Sequence, residues 1–397
     1  MDKAKGFLSK YAMLVILALV MLFFQVTISS SGKGDFFSPA NITNLLSQNG
    51  YVVILATGML LCILTGGNID LSVGSVIVLV GALSGILIVQ MGLNPYLSIL
   101  LCLIAGTAIG AWQAFLIAYI RIPPFITTLG GMLIFRGLAL FLLGSKGISF
   151  SRSQPSHAAF LNLFNSYIPG TTNVVLGGFV NVSLIIALAV CVVMVALQTV
   201  SRRQKVRKGY TVENMAAMVT RLTVISGVIM FAFHRLGQDK GVPVLLIWLG
   251  AIVLIYNYFT QNTVPGRYLY AMGGNAKAAR LSGVNTKKMM FFAYTNMGFL
   301  AGIAALVYTA RFAQAGTTAG SGVELDAIGA CFIGGASAYG GIGTVGGAVI
   351  GAVFMGVLNM GMSIMGVDQN LQRVIKGLVL LAAVIFDVLS KNRKQSG

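Results

Sequence analysis

Long apolar runs, separated by short polar or glycine-rich segments, occupy most of the chain. A helix needs about 20 apolar residues to cross the hydrocarbon core of a bilayer. The runs predict candidate membrane-spanning helices at residues 11–28, 50–64, 71–90, 95–119, 125–143, 175–197, 222–236, 242–260, 289–310, 325–338, 343–362 and 371–389. Three of them (50–64, 222–236 and 325–338) are too short to span alone. The expectation is therefore about 10–12 transmembrane helices, some broken or re-entrant.

Composition narrows the class of protein. Of 397 residues, 57% are hydrophobic and only 9% are charged, against about a quarter charged in soluble domains. A soluble enzyme and a disordered chain are excluded, and the four cysteines lie inside apolar runs rather than in a disulfide framework. We expect an all-α polytopic membrane protein forming one transmembrane domain over 1–397, with a first half at about 11–197 and a second at about 222–389.

The net charge of +18 would suit a nucleic-acid partner, but membrane proteins concentrate Lys and Arg in cytoplasmic segments. With the N-terminus inside, 18 of the 27 basic residues fall on the cytoplasmic side, 7 outside and 2 within spans. Both termini are therefore predicted to be cytoplasmic, with a retained first span, and no nucleic-acid partner is expected. Two basic cytoplasmic loops stand out, 201–221 and 265–288.

Known catalytic and nucleotide-binding signatures are missing from the sequence. The chain has no G-x-x-x-x-G-K motif followed by Ser or Thr, so ATP-driven work would need another polypeptide. With two histidines and no H-E-x-x-H motif, neither an enzyme nor a metal site is predicted.

Glycines recur at four-residue spacing inside the apolar runs. Such spacing lets helix backbones approach closely in lipid. Helix contacts are therefore predicted at Gly81/Gly85, Gly106/Gly110, Gly298/Gly302 and Gly347/Gly351.

Residues 65–75 interrupt one hydrophobic run with two glycines and the polar side chains of Asn68, Asp70, Ser72 and Ser75. This pattern is typical of a discontinuous helix whose freed backbone groups need partners. An aspartate at the bilayer centre costs about 2.5–3.5 kcal/mol, so Asp70 should face protein or water. Two interpretations stay open: Asp70 caps the following helix, or it lies beside a transport path or transmission interface.

A second glycine-broken segment begins at Glu324 and Asp326 and continues through residues 334–343. In the predicted topology it enters from the other side of the membrane. The two segments together would fit an inverted repeat.

Arg136 is an isolated cation in the apolar run 132–143. A buried guanidinium needs a carboxylate or several carbonyls. We interpret it as a structural ion-pair candidate, with Asp70, Glu324 and Asp326 as the possible partners.

The cytoplasmic segment 267–285 predicts a short helix that begins at an N-cap, Asn275, and stops at Gly283. Such a helix could be gripped by a soluble partner that moves the attached spans. A solvated connector is the alternative.

At this segment and at 66–75 the sequence resembles the membrane permeases of ATP-binding-cassette monosaccharide importers. Residues 325–335, 340–348 and 374–377 extend the resemblance. The length, the extra hydrophobic pair around 201–249, and residues 111–113 and 121–123 are most similar to permeases of the xylose or multiple-monosaccharide type. This chain has Asn68 at the position where most members of that family have an acidic residue or a glycine.

The resemblance implies a pore in a prokaryotic cytoplasmic (inner) membrane, formed with a second copy of the chain. It implies a cytoplasmic ATPase that binds ATP and Mg, so that no cofactor belongs to this chain, and an extracytoplasmic sugar-binding protein. The substrate would be xylose or a related aldose, with galactose, ribose or another monosaccharide as alternatives.

The resemblance also carries over the coupling-loop positions Gly274, Asn275, Ala278, Arg280, Ser282 and Gly283. A sugar in the pore needs replacement hydrogen bonds, and tight binding there would slow release. The candidates for the path or the broken helices are Asn68, Asp70, Ser72, Ser75, Asn296, Glu324, Asp326 and Asn359. A more distant alternative is an ion-coupled secondary sugar transporter with Asp70 or Glu324 at the ion site.

Overall fold

The structure is a computed structural model that describes residues 2–144, 146–175, 180–210, 212 and 214–395. The helices of this part of the chain are α1 (Asp2–Ser30), α2 (Pro39–Leu64), α3 (Val73–Gly85), α4 (Pro95–Phe115), α5 (Pro124–Leu143), α6 (Pro155–Phe164), α7 (Val182–Arg207), α8 (Met215–Gln238), α9 (Leu245–Asn262), α10 (Val264–Leu281), α11 (Thr286–Phe312), α12 (Val323–Ile333), α13 (Val345–Ile364) and α14 (Gln369–Gln395). Five-residue π-helical segments, Ile86–Gln90 and Leu116–Ile120, extend α3 and α4.

Four two-residue strands accompany the helices. They are β1 (Ile148–Ser149), β2 (Val174–Val175), β3 (Val180–Asn181) and β4 (Gln314–Ala315), paired antiparallel as β1 with β4 and β2 with β3. The β1–β4 pair ties the segment after α5 to the end of α11.

Within the described residues, ten helices are long and apolar enough to cross a membrane. They are α1, α2, α3 and α4 with their extensions, α5, α7, α8, α9, α11 and α13. The all-α polytopic fold is confirmed, and ten falls within the expected number. The predicted span 325–338 is wrong as a spanning helix, because α12 has only 11 residues and gives way to a loop rich in glycine. The predicted span 371–389 lies in the longer α14, which is not among the ten, because Arg373, Lys376 and Asp387 put three charges into its apolar run.

Two other spans that looked too short belong to full-length helices. Residues 50–64 form only the end of α2, which starts at Pro39 behind the N-cap Ser38. Its first turns carry polar side chains that interrupt the apolar run, although tertiary packing keeps them helical. Likewise, residues 222–236 lie within α8.

The basic segment 201–221 is mostly helical rather than a loop. α7 continues to Arg207 and α8 begins at Met215, since Arg, Lys and Gln are good helix formers outside the bilayer. Residues 211 and 213 of this segment lie outside the described residues. The segment 265–288 is also mostly helical, within α10 and the start of α11.

The core forms around α2. In the apolar stretch of this helix that is long enough to span a membrane, 83% of the residues are buried. α11 packs on α2, α3 and α4, while α12 and α13 close the other side of α2. The outward-facing sides of α1, α5, α7 and α8 expose large apolar side chains, as lipid-facing helices do.

The four-residue glycine spacing marks the closest helix contact. A Cβ on Gly110 would lie 2.7 Å from the carbonyl oxygen of Tyr294 and 2.8 Å from Cα of Gly298. A Cβ on Gly106 would lie 2.8 Å from the carbonyl oxygen of Gly298. The backbones of α4 and α11 therefore touch directly, which confirms the packing interpretation for these pairs.

Candidate functional site

Two interruptions of helical structure meet inside the protein. The first break (residues 65–72) separates α2 from α3, and the second break (residues 334–344) separates α12 from α13. Gly67 of the first break adopts a φ of +74° and Gly341 of the second a φ of +70°, which L side chains rarely adopt. Glycine is therefore required at both turns by backbone conformation.

The two breaks contact each other through their backbones. The amide of Gly341 donates to the carbonyl of Leu64 across 3.2 Å. A Cβ on Gly67 would overlap the carbonyl of Ala338. The sequence pointed to two similar broken segments, and the structure shows that they are in contact. The predicted inverted repeat stays a prediction.

Asp70 lies buried in the first break, with 3% of its surface exposed. Its Oδ1 accepts from the Ser72 amide at 2.8 Å and from the Ser72 hydroxyl at 2.6 Å. That hydroxyl also accepts from Nε2 of Gln113 on α4 at 2.9 Å. The carboxylate thus fixes the chain where α3 begins, and Gln113, which the sequence did not single out, links the break to α4.

The other polar residues near the first break differ in access. Asn68 is partly exposed, and its Nδ2 lies 3.1 Å from Oγ1 of Thr65. Ser75 is buried within the first turn of α3. Of these two path candidates, only Asn68 retains exposed surface.

Glu324 begins α12 beside the start of α3. A Cβ on Gly74 would overlap the Glu324 carboxylate and the carbonyl of Gly320. Arg136 on α5 lies within electrostatic range of Glu324, but its Nη1 donates to the carbonyl of Ala319 at 2.7 Å. Among the described residues Arg136 forms no ion pair, so the structure gives it a carbonyl instead of the expected carboxylate.

Asp326 forms an ion pair with a residue to which the sequence gave no role. Nζ of Lys376 on α14 lies 2.9 Å from Oδ1 and 3.1 Å from Oδ2 of Asp326. Nδ2 of Asn359 on α13 donates to Oδ2 at 3.3 Å. The three residues join α12, α13 and α14. The sequence signal for this ion pair was Lys376 itself, a lysine within an apolar run, because charges in such runs usually pair with one another.

Asn296 makes its hydrogen bond to another helix and not to either break. Its Oδ1 accepts from the hydroxyl of Tyr256 at 2.5 Å, which joins α11 to α9. Asn296 and Asn359, both path candidates, therefore make contacts between helices.

The segment predicted as the coupling loop is a bent helix. α10 kinks at Asn275, where φ is −159° and ψ is 97°. Oδ1 of Asn275 accepts from the amide of Ala278 at 2.9 Å, and Gly283 follows with a φ of +88°. The short capped helix after Asn275 is thus present as predicted. Gly274, Ala278, Arg280 and Ser282 are exposed on it.

The half of α10 before the kink rests on the end of α2 and on the second break. A Cβ on Gly273 would overlap the amide of Gly341 and the carbonyl of Leu64. The hydroxyl of Tyr270 donates to the carbonyl of Gly343 at 2.9 Å. Burial raises the pKa of Tyr270 above its ordinary value, against the lowering effect of hydrogen bonds with Thr260 and Gln261, so the hydroxyl remains a donor at neutral pH.

We call this contact the glycine junction: Gly273 of α10, Leu64 at the end of α2, and Gly341 of the second break. It joins three segments with only backbone between them. Because backbone packs directly on backbone here, no flexible side chain can absorb a displacement of α10 before it reaches α2 and the second break. Sequence reasoning singled out the segment but missed Tyr270 and Gly273, whose roles depend on long-range contact.

In the described part of the chain, ten helices are long and apolar enough to span a membrane, two broken segments meet, and the bent α10 packs beside them. This architecture is that of a polytopic membrane protein. The chain belongs to the family described as the permease component of branched-chain amino acid transport systems, whose model matches residues 41–384. It is a multi-pass permease subunit of the inner membrane rather than an enzyme.

Individual relatives agree with this class. The chain is 35% identical over 386 residues to the xylose transport system permease protein of Escherichia coli (strain K12), covering 97% of this chain and 93% of the relative. It is 33% identical to the xylose transport system permease protein of Haemophilus influenzae, covering 97% of this chain and 98% of the relative. It is 32% identical to the ribose import permease protein of Escherichia coli (strain K12), covering 95% and 94%. The resemblance found in the motifs is confirmed. No solved structure matches the chain.

Proposed function

We propose that this chain is the pore-forming permease subunit of an ATP-binding-cassette importer that moves a monosaccharide, xylose or a related aldose, into the cell. The observation that carries the proposal is the glycine junction, in which the bent α10 contacts the end of α2 and the second break. Relatives named for xylose and ribose transport support the substrate class.

In this proposal a cytoplasmic ATPase grips the exposed half of α10, from Asn275 to Gly283. ATP and Mg are bound by that ATPase, and this chain supplies no cofactor site. Movement of α10 passes through the glycine junction to the two breaks, which open or close the path. Because the amide of Gly341 also donates a hydrogen bond to the carbonyl of Leu64, α2 moves with the two breaks.

A second copy of the chain completes the pore, and an extracytoplasmic sugar-binding protein delivers the substrate. Affinity resides in that protein, so the pore needs only weak polar contacts. Asn68 supports this idea, since its amide remains partly exposed at the first break. Asp70 and Asp326 are already engaged by neighbouring groups, and we assign them structural roles in holding the breaks.

Coupling to an ATPase is tested by purifying the permease from its native membrane. We expect a cassette ATPase to copurify and the isolated permease to hydrolyse no ATP. Replacing Arg280 by Ala together with Gly283 by Ala should abolish sugar-stimulated hydrolysis by the reconstituted complex. Arg267→Ala, exposed on the same helix before the kink, is the control. Unchanged coupling in the Arg280/Gly283 variant would remove the proposed role of α10.

A further inference from the structure

A cleft of about 540 Å³ opens between the exposed half of α10, the turn from α4 to α5, and the start of α11. Three cations line it, each from a different element: Arg121, Arg280 and Lys287. Its volume lies within the ~300–1,000 Å³ typical of small-molecule pockets and exceeds what a lone phosphate needs.

The cations of the cleft have no partner in the described part of the chain. The side chains of Arg121, Arg280 and Lys287 make no hydrogen bond or ion pair there, and no acidic residue lines the cleft. Lys287 also lies in the first turn of α11, a 27-residue helix whose N-terminus faces the cleft. A helix N-terminus adds positive potential to that of the side chains. The electrostatics therefore favour an anion.

Arg121 adopts a strained conformation at this position. Its φ of +70° is one of two positive values among non-glycine residues of the described chain. It follows the π-helical end of α4 and precedes Ile122 and two prolines. Glycine would adopt this conformation without strain. What arginine adds here is a guanidinium, on a residue that lines the cleft.

Exposed aromatic residues on α4 and its extension indicate that the cleft lies near the membrane surface. Trp112, Phe115 and Tyr119 are 45%, 50% and 44% exposed on α4 and its extension, as expected for aromatic residues at a membrane–water interface. Ile117 and Met290 form apolar parts of the cleft wall. An occupant would therefore meet apolar surface on one side and cations on the other.

We propose that this cleft binds the headgroup of an anionic phospholipid from the cytoplasmic leaflet, with the phosphate between Arg121, Arg280 and Lys287. Basic pockets at this level between helices suit such headgroups. An acidic protein segment is less favoured, because it would leave the apolar wall uncovered. The lipid would bridge α10 to the α4–α5 turn. Its effect on coupling, though not its binding, rests on the proposed function.

Lipid binding is measured on the delipidated permease alone in detergent, without the ATPase, by native mass spectrometry. The probes are phosphatidylglycerol and phosphatidylcholine with the same acyl chains. The test variant carries Arg121→Gln, Arg280→Gln and Lys287→Gln. The control carries Arg267→Gln, Lys277→Gln and Lys288→Gln, three exposed cations nearby that do not line the cleft. Both variants lose three charges.

We expect the parent and the control to bind phosphatidylglycerol at least about tenfold more tightly than phosphatidylcholine, since each cation contributes several-fold. The test variant should lose that preference. Equal losses in the two variants, or an unchanged preference in the test variant, would overturn the proposal. So would displacement of the bound lipid by millimolar inorganic phosphate, which points to a free anion, or by a soluble poly-glutamate peptide, which points to an acidic protein segment.

The assay keeps this proposal separate from the proposed function. If the parent complex showed no ATP-driven sugar transport while the parent permease kept its preference for phosphatidylglycerol, the importer alone would be contradicted. If the parent complex transported sugar while the parent permease showed no such preference, the cleft alone would be contradicted.

Discussion

Asp326 places a carboxylate in the protein interior with 3% of its surface exposed. A buried charge is tolerated only when it is paired, and removing one partner leaves the other uncompensated. Lys376 and Asn359 meet that requirement from two other helices. At the residue scale, this triad holds α12, which is too short to anchor itself by spanning the bilayer.

Replacing Lys376 by Met should destabilise the permease by about 3–5 kcal/mol, because Asp326 would stay buried without its counter-ion. Thermal unfolding in detergent measures the effect. Arg373→Gln, on the exposed face of the same helix, is the control and should change little. Adding Asp326→Asn to Lys376→Met should recover part of the loss. If the Lys376 variant melts like the parent, the ion pair does not stabilise α12.

The contact between α4 and α11 predicts a contrast between two glycines one turn apart. Gly298→Ala should cost about 1–3 kcal/mol, because its Cβ would collide with the backbone of α4. Gly302→Ala should be tolerated, because the nearest atoms to its Cβ would be 3.7 Å away. Thermal midpoints of the two purified variants test this. Equal midpoints would contradict the described crossing of α4 and α11.

At the scale of elements, the bent α10 and the two breaks act as one unit. The sequence predicted the capped helix after Asn275 because a cap, helix formers and a glycine stop are local signals. It did not predict that Gly273 touches Gly341, because 68 residues separate them. For the same reason it did not predict that Lys376, 50 residues further along the chain, pairs with Asp326.

Gly273→Ala should lower sugar-stimulated ATP hydrolysis of the reconstituted complex by about tenfold, since forcing a methyl group between packed backbones costs ~1–3 kcal/mol. Its neighbour offers a matched control. A Cβ on Gly274 would meet nothing within 4 Å, so Gly274→Ala should leave the hydrolysis rate close to that of the parent. Equal rates in the two variants would exclude the glycine junction as the transmission route.

Tyr270→Phe removes the hydrogen bond to the carbonyl of Gly343 without changing the packing of the ring. The loss should be about 1 kcal/mol, seen as a several-fold reduction in coupled hydrolysis at nearly unchanged thermal midpoint. A reduction in midpoint with intact coupling would instead assign Tyr270 a purely structural role.

At the scale of the whole molecule, charge and hydropathy predicted the multi-pass class and the approximate number of spans. They did not predict the helix boundaries correctly where a helix begins with polar turns, as α2 does after Ser38. The same is true where α7 and α8 continue beyond their apolar runs. In both cases tertiary contacts or helix propensity extend an element that hydropathy alone would end.

The predicted orientation can be checked with single cysteines at the two ends of the bundle. The native cysteines are buried, so an impermeant maleimide should label only the introduced residue. Ser282→Cys on α10 should react in inside-out vesicles, and Ser31→Cys after α1 in right-side-out vesicles. The reverse pattern would invert the assignment of the basic end to the cytoplasm.

The central claim is that this chain carries a monosaccharide only when a separate ATPase drives it. The direct measurement is uptake of labelled xylose, ribose and galactose into proteoliposomes. One set contains the permease alone, and the other adds its cassette ATPase and sugar-binding protein. We predict uptake of xylose or another of these sugars that requires ATP and all components. Uptake by the permease alone under a proton or sodium gradient would contradict the account and favour an ion-coupled transporter.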